Sequence, residues 1–341
     1  MGKKWKKYIK ANKMFVLLCI TAMLFLIYLI PSLFPTDNDE GIAEVMVDAQ
    51  EEEITRRLFV EGITWLFMEP YDLYHVGRIE NLYVNVLEDR GEWLRIGTPQ
   101  GERWVNLDFR PPTVELEILL RQFSTDLSVH FENMETGFVY QYNGQRIYPS
   151  ASVAKAVHGL YIFKQAEQGL IDLDYTYIYI HPIREILRMS ISESNDSTTI
   201  MLVESFGLGG YIDFVKELGG NISYIGGVVM DSQLSAVEAG IFARAIFEYL
   251  ESDGIYNEEF RNQLLDNQFP FIVSDYPVAS KSGWYPPYAW HDLAIVYAPS
   301  PYALVILSHR VGWMEQDYED FRQISMAFQE FNDKWFVGTG N

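Results

Sequence analysis

The longest apolar stretch of the chain covers residues 14–34, which contain no charged side chain. A helix of this length spans about 30 Å, the thickness of the hydrocarbon core of a membrane. Residues 1–13 carry six lysines and no acidic residue. The positive-inside rule therefore predicts a cytoplasmic tail and a single-pass anchor, with the rest of the chain outside the cell. A cleaved signal peptide is the alternative, but no small-residue cleavage pattern follows the apolar run.

The pattern of polar and apolar positions changes twice after this run. Residues 35–57 are acidic and poor in aromatic side chains, which is typical of a solvated stalk. In residues 58–110, short β-forming segments are separated by the turns Asp89-Arg90-Gly91 and Pro99-Gln100-Gly101, which predicts a small β-barrel. We expect Pro111-Pro112 to end this module, because consecutive prolines resist both a helix and a central strand.

Residues 113–341 are sufficient for a single domain with a sizeable core. An amphipathic helix is predicted at its start (VELEILLRQF), and helical patterns dominate residues 153–250. Strand patterns precede and follow this helical part, at Leu127–Asn133, Phe138–Tyr142, Leu293–Tyr297 and Ala303–Ser308. Strands on both sides of a helical middle predict an α+β fold, in which the outer strands of an antiparallel sheet come from opposite ends of the domain.

Charge and cysteine content exclude several kinds of function. The formal net charge is −21, and all six charges in the first 36 residues are lysines, so the remaining chain is more acidic still. An acidic surface of this kind repels phosphate backbones, and we expect no nucleic-acid partner. The single cysteine, Cys19, permits neither an intrachain disulfide nor a zinc cluster, and we expect no metal and no cofactor.

Three short motifs carry chemistry. In the first, Ser152-Val153-Ala154-Lys155, the helical pattern that follows puts the serine at a helix N-terminus and the lysine one turn later on the same face. A desolvated neutral lysine can take the proton of a serine hydroxyl and so make it a nucleophile. The second motif is Ser194-Asn195-Asp196. The third, Lys281-Ser282-Gly283, lies on a predicted strand, where glycine permits close approach of a ligand backbone.

In this order, the motifs resemble the S-x-x-K, S-D-N and K-T/S-G set of class A β-lactamases and penicillin-binding proteins. The stretches LSVHFENMETGFVYQYNGQRIYPSASVAK, AEQGLIDLD and HDLAIVYAP are also similar to the family's framework, so the resemblance covers nearly all of residues 113–341. It implies a β-lactamase-like α/β sandwich, with an antiparallel sheet and a helical subdomain, preceded here by the small barrel and the transmembrane helix. It also implies that β-lactams or D-alanyl-D-alanine-like wall peptides are the substrates.

The resemblance implies a role for each matched position. Ser152 is then the acylated nucleophile, Lys155 its base, and Ser194 the relay that passes a proton to the leaving nitrogen. The backbone N–H groups of Ser152 and Trp284 form the oxyanion hole, and Lys281 and Ser282 hold the substrate carboxylate. The full set of substrate-binding positions implied in this way is Asp196, Lys281, Ser282, Gly283 and Trp284.

The sequence departs from the family at two places. Asp196 stands where the family has an asparagine, unless a one-residue shift matches Asn195 instead, which spoils the flanking agreement. An ionised carboxylate only accepts hydrogen bonds, and it favours a protonated Lys155, so we expect slow acylation. The family's long loop with a deacylating glutamate is cut to a few residues. Glu238 is interpreted as a solvated acid in the first turn of a helix, so any acyl-enzyme is expected to be long-lived.

Residues 58–110 resemble the bacterial Src-homology-3-like domains of cell-wall proteins, through the stretch YVNVLEDRGEWLRIGTPQGERWVNL. Such domains often dock peptidoglycan peptides, which implies a possible cell-wall contact. The alternative is a structural spacer whose tryptophans, Trp65, Trp93 and Trp104, fill its core. For the whole chain two hypotheses stand: a membrane-anchored extracellular serine hydrolase, or a non-catalytic peptidoglycan-binding or β-lactam-sensing protein on the same fold.

Overall fold

The computed structural model describes residues 56–123, 126–221, 225–285, 289–309 and 314–337. The predicted cytoplasmic tail, the membrane anchor and nearly all of the stalk lie outside these residues and stay predictions. Of the helices in the described ranges, none is both long and apolar enough to cross a membrane.

The N-terminal part of the described chain is a four-stranded antiparallel sheet in the order β1-β2-β3-β4. Its strands are Arg56–Leu66 (β1), Gly77–Asp89 (β2), Leu94–Thr98 (β3) and Gly101–Val105 (β4). The first strand begins two residues before the predicted module boundary. Phe67 and Trp104 exchange two backbone hydrogen bonds of 2.9 Å, so the segment after β1 pairs with β4. Trp93 and Trp104 are buried here, and Trp65 is partly buried against the same cluster, which is compatible with a structural core. The resemblance to Src-homology-3-like domains stays a prediction.

Helix α1, Pro112–Leu120, follows directly, and Pro112 is its first residue. The expectation that the two prolines would resist a helix at this point was wrong for Pro112. A proline is tolerated at the first helical position, because the N–H group that it lacks would have no partner inside the helix.

The large domain is built on a five-stranded sheet in the order β11-β12-β13-β5-β6, in which all neighbours are antiparallel. The strands are Leu127–Asn133 (β5), Val139–Tyr142 (β6), Val278–Tyr285 (β11), Ala289–Val296 (β12) and Tyr302–Ser308 (β13). The two outer strands, β6 and β11, come from opposite ends of the domain, which confirms the predicted α+β topology. Every residue of β5, β12 and β13 is buried, so both faces of the sheet are covered.

Helices cover the two faces of this sheet. On one face, α1 and the C-terminal helix α8, Met314–Trp335, pack on Phe131 and Leu304. The opposite face carries a larger helical layer that contains α2, Ala154–Glu167. The other helices of the described chain are Ile183–Ile191 (α3), Asp196–Phe206 (α4), Gly209–Glu217 (α5), Ala236–Leu250 (α6) and Asn257–Leu265 (α7). This arrangement is the predicted β-lactamase-like sandwich with a helical subdomain.

Two short strand pairings complete the description. Strand β7, Ile147–Pro149, pairs with β10, Gln233–Ser235. The two-residue strands Tyr177–Ile178 (β8) and His181–Pro182 (β9) form a hairpin. The pairing of β7 matters most for the site, since the first motif begins three residues after this strand ends.

Candidate active site

Ser152 lies in a tight turn between β7 and α2. The turn is a short 3₁₀ segment, Ala151–Val153, whose outer residues are buried while Ser152 is partly exposed. Ala151 has φ of +45°, a left-handed conformation that costs energy for a residue with a side chain. The Ser152 hydroxyl makes no hydrogen bond to any described residue. The turn therefore presents a free hydroxyl on a strained and well-packed backbone.

Lys155 occupies the first turn of α2 and is almost completely buried. Its Nζ donates hydrogen bonds to Asp196 Oδ1 at 2.5 Å and to the Ser194 carbonyl at 2.7 Å. Burial lowers the pKa of Lys155 below its usual value, while the hydrogen bond and charge of Asp196 act in the opposite direction. The lysine is thus paired with the second motif rather than with the Ser152 hydroxyl.

The second motif begins a helix, and each of its residues has a separate task. Asn195 caps α4, because its side-chain oxygen accepts the Thr198 N–H at 3.2 Å. Asp196, the first helical residue, is consequently the one that meets Lys155. Ser194 has φ of +58°. This bend directs its carbonyl to Lys155, while its hydroxyl meets the third motif.

Lys281, on β11, is the residue of the third motif that contacts the Ser194 hydroxyl. Its Nζ donates to Ser194 Oγ at 2.9 Å and to the Ser282 carbonyl at 2.8 Å. Complete burial lowers the pKa of Lys281 to about 7, and the nearby positive charge of Lys155 contributes to the shift. Ser194 therefore joins two buried lysines, one through its carbonyl and one through its hydroxyl.

Strand β11 also packs directly on the turn that carries Ser152. A Cβ atom on Gly283 would lie 2.7 Å from the backbone nitrogen of Ser152 and 2.8 Å from that of Val153. Only a glycine fits so close an approach without displacing backbone. Trp284 follows on the same strand, so the two N–H groups predicted for the oxyanion hole belong to segments in direct contact.

Ser282 differs from the other predicted site residues in its contacts, because its hydroxyl lies in a buried polar cluster. It is fully buried, and its hydroxyl lies 3.5 Å from Asn267 Nδ2, which also donates to Ser280 Oγ at 2.9 Å. Asn267 was not singled out in the sequence, where it stands in an unremarkable polar stretch. The structure gathers Ser152, Lys155, Ser194, Asp196, Lys281 and Gly283 at one place, and it puts the Ser282 side chain in a buried polar contact beside them.

His291 is a second residue that sequence reasoning left without a task. It is completely buried on β12, and its Nε2 lies 2.8 Å from the carbonyl oxygen of Pro149, while Nδ1 lies 2.8 Å from the carbonyl oxygen of Trp290 and 3.2 Å from the Ser308 nitrogen. Burial lowers the pKa of His291 to about 4, so the ring is neutral near pH 7. His291 thereby ties the strand that leads into the Ser152 turn to the central sheet.

Asp292, the next residue, is also completely buried. Its Oδ2 accepts the N–H groups of Phe271 and Ile272 at 2.8 and 2.9 Å. Burial raises the pKa of Asp292 to about 7, against the lowering effect of these hydrogen bonds and of Lys281. This carboxyl group anchors the segment before β11, and its ionised form favours the ammonium form of Lys281.

Glu238 is held at the start of α6 by a capping box. Its Oε2 accepts the Ser235 N–H at 3.0 Å, and the Ser235 hydroxyl accepts the Glu238 N–H at 3.2 Å. Its other carboxylate oxygen accepts the Asn221 N–H at 2.8 Å. Both oxygens of the side chain are thus used in local structure.

Across the described residues there is no group of three His, Cys, Asp or Glu side chains placed to hold a metal ion.

Comparison with known proteins agrees with this geometry. A sequence profile of the β-lactamase enzyme family matches residues 111–331. No curated protein sequence matches the chain.

Solved structures extend the likeness to the fold. A β-lactamase from Chitinophaga pinensis DSM 2588 superposes with a TM-score of 0.56 at 17% identity, over 65% of this chain and 99% of that one. The TLA-3 extended-spectrum β-lactamase superposes with a TM-score of 0.55 at 14% identity, over 64% of this chain and 98% of that one. An ancestral (GNCA) class A β-lactamase superposes with a TM-score of 0.55 at 16% identity, over 64% of this chain and 99% of that one. At these identities the likeness establishes the fold alone.

Proposed function

The chain belongs to the β-lactamase enzyme family, and we propose that it is a serine acyl-transfer enzyme acylated at Ser152 by β-lactams or D-alanyl-D-alanine-like wall peptides. The observation that carries the proposal is the double contact of Ser194, which accepts a hydrogen bond from Lys155 on its carbonyl and one from Lys281 on its hydroxyl. This network lies beside a serine whose hydroxyl is free. Such a set of groups can move a proton away from a nucleophile and deliver it to a leaving group.

The proposed reaction uses each group once. The Ser152 oxygen attacks the substrate carbonyl, forms a new C–O bond and gives up its proton toward Lys155. The negative charge on the carbonyl oxygen is stabilised by the N–H groups of Ser152 and Trp284. The C–N bond then breaks, and Ser194 passes a proton to the nitrogen while Lys281 replaces it. Because Asp196 stabilises the ammonium form of Lys155, the first proton transfer is slow.

Deacylation is proposed to be slow as well. It requires a base that activates water next to the acylated serine. Glu238 is the acid that follows the shortened loop, and both of its carboxylate oxygens accept backbone hydrogen bonds in the capping box and from Asn221. Near Ser152, Asp196 is paired with Lys155. The enzyme is therefore expected to accumulate as a long-lived covalent adduct.

The location of the enzyme is part of the proposal. We infer that residues 14–34 anchor the chain in the cytoplasmic membrane and that the catalytic domain is extracellular. Digestion of intact cells with an added protease tests this, since an extracellular domain is cleaved and a cytoplasmic one is protected. Contact between residues 58–110 and the cell wall is a further proposal, which co-sedimentation of the full chain with isolated peptidoglycan tests.

The decisive experiment is intact-mass measurement of the full chain in detergent after incubation with benzylpenicillin, with Ser152→Ala as the matched control. An added mass of one penicillin in the wild type and none in the variant is the expected result. Absence of an adduct together with unchanged penicillin would overturn the proposal. It would favour the second candidate, a non-catalytic wall-binding or sensing protein, for which the Lys155–Asp196 ion pair is the supporting observation.

A further inference from the structure

His291 and Gly283 lie directly opposite each other on the antiparallel strands β12 and β11. The side chains of such a pair project from the same face of the sheet. At Gly283 this face is flat, and a Cβ atom there would lie 2.7 Å from the backbone nitrogen of Ser152 and 2.8 Å from that of Val153. At His291 the face carries an imidazole ring whose Nε2 lies 2.8 Å from the carbonyl oxygen of Pro149. The segment that bears the nucleophile therefore packs on this pair at both of its ends.

The contacts of the His291 ring indicate which of its nitrogens carries the proton. The ring is completely buried and neutral near pH 7, so it has one N–H group. Nδ1 lies 2.8 Å from the Trp290 carbonyl oxygen and 3.2 Å from the Ser308 nitrogen, whose N–H is directed at it. A proton on Nδ1 would face the Ser308 N–H and would leave Nε2 and the Pro149 oxygen as two acceptors in contact. A proton on Nε2 leaves only the Trp290 contact without a hydrogen bond, so the ring is best satisfied when Nε2–H donates to Pro149.

The turn that bears the nucleophile needs support from its surroundings because its backbone is strained. Ala151 has φ of +45°, a conformation that a residue with a side chain keeps only where the surrounding structure imposes it. The Ser150 N–H donates to the Ser232 carbonyl at 2.7 Å and holds the chain at one point. The contact of His291 with Pro149 holds it one residue earlier. These two contacts fix the chain just before the strained residue.

We propose that His291 is a positioning residue for acylation, which keeps the two N–H groups of the oxyanion hole at the correct separation. This inference rests on the proposed acylation of Ser152. One of the two groups belongs to Ser152, in the turn that His291 holds through Pro149. The other belongs to Trp284, which follows Gly283 on the strand paired with that of His291. The developing negative charge is stabilised only when both donors lie at hydrogen-bond distance from it. The partners of the buried ring are backbone groups, so His291 acts through the turn and not on the substrate.

Three substitutions at His291 separate the hydrogen bond from the shape of the ring. In His291→Gln the amide nitrogen can take the place of Nε2, and in His291→Asn it can take the place of Nδ1, whereas His291→Phe keeps a ring without either nitrogen. Acylation of the full chain by benzylpenicillin is followed by intact mass over a range of concentrations, which gives a maximal rate and a half-saturating concentration. Thermal melting reports the stability of each protein. His158→Phe is the matched control, because His158 is also buried and its Nε2 has no hydrogen-bond partner among the described residues.

We expect the maximal rate to fall about tenfold in His291→Phe and in His291→Asn, because a displaced donor weakens stabilisation of the transition state. The half-saturating concentration should change little, since the binding of intact penicillin does not depend on the developing charge. His291→Gln should recover most of the wild-type rate, and His158→Phe should keep all of it. A merely structural role for His291 would lower stability without this difference between glutamine and asparagine.

Equal maximal rates in the wild type and in His291→Asn overturn this inference while the proposed acylation stands. A rate in His291→Gln as low as that in His291→Asn also overturns it, because a donor at the Nε2 position is then not what the reaction needs. The comparison of these two variants decides the question even if His291→Phe does not fold. If benzylpenicillin neither labels the wild type nor is consumed by it, the proposed function is overturned and this inference with it.

Discussion

Lys281 donates a hydrogen bond of 2.9 Å from its ammonium nitrogen to the hydroxyl oxygen of Ser194. The two residues are far apart in the chain, and the bond joins β11 of the sheet to the segment that begins α4. The lysine is fully buried, and Lys155, another cation, donates to the carbonyl oxygen of the same Ser194. Such a site makes the charge of Lys281 sensitive to pH near neutrality.

The first prediction is a fall in acylation as the pH rises through about 7. Burial lowers the pKa of Lys281 from 10.5 to about 7, so the side chain is cationic below that pH and neutral above it. A neutral amine loses its attraction for the substrate carboxylate. The rate of Ser152 labelling by benzylpenicillin should decline across pH 6–8 more steeply than the rate for its methyl ester, because the ester lacks the carboxylate and loses only the proton that Lys281 supplies to Ser194. Equal pH profiles for acid and ester would contradict the prediction.

The second prediction concerns the substitution of Gly283. In Gly283→Ala the new methyl group would lie 2.7 Å from the Ser152 backbone nitrogen, closer than real Cβ contacts. Either the Ser152 turn or β11 must move, and we expect acylation to fall by about a hundredfold, comparable to the loss of an oxyanion-hole donor. Gly209→Ala is the matched control, because nothing lies within 4 Å of its Cβ position. If Gly283→Ala is folded by thermal melting and is acylated at the wild-type rate, the close packing has no catalytic importance.

Much of this fold follows from local pattern. Strand β5 has the predicted bounds Leu127–Asn133, because its run of β-forming residues is bounded by turn residues. The helix that starts after Ser152 and bears Lys155 was likewise predicted from its apolar periodicity. The start of α1 was not predicted, since a proline such as Pro112 disrupts a helix in its interior but is tolerated as its first residue.

The contacts that define the site cannot be predicted from local sequence pattern. The choice between Asn195 and Asp196 as the partner of Lys155 depends on which side chain caps α4, and the cap belongs to Asn195. The contact of His291 with Pro149 joins positions far apart in the chain through the order of the strands. Motif order indicated which residues would meet, but hydrogen-bond partners required the packed structure.

The third prediction concerns stability in acid. His158 and His291 are fully buried, and burial lowers the pKa of each to about 4. The unfolded chain therefore binds protons near pH 6.5 that the folded chain does not, and the free energy of unfolding falls as the pH drops from 6.5 toward 4. Between pH 7 and pH 5 the loss should be about 2 kcal/mol for each histidine.

His158→Phe isolates this effect. The Nε2 atom of His158 has no hydrogen-bond partner in the described structure, and its ring stacks on Tyr161, so a phenyl ring should be accommodated. Urea unfolding at pH 7 and pH 5 should give a variant whose stability decreases by about 2 kcal/mol less than that of the wild type. The carboxylates titrate in both proteins, so their contribution to the loss of stability cancels in the comparison. Identical losses in the two proteins would show that His158 does not resist protonation.

The last prediction separates a structural from a catalytic task for Glu238. Its carboxylate completes the capping box with Ser235 and accepts the Asn221 N–H, so Glu238→Ala should lower the free energy of unfolding by about 1 kcal/mol. Because both oxygens are engaged in the cap and with Asn221, we expect the lifetime of the penicillin adduct on Ser152 to be the same in the variant. Decay of the adduct is followed by intact mass after removal of excess penicillin. A several-fold longer lifetime in Glu238→Ala would identify Glu238 as the base that the shortened loop otherwise lacks.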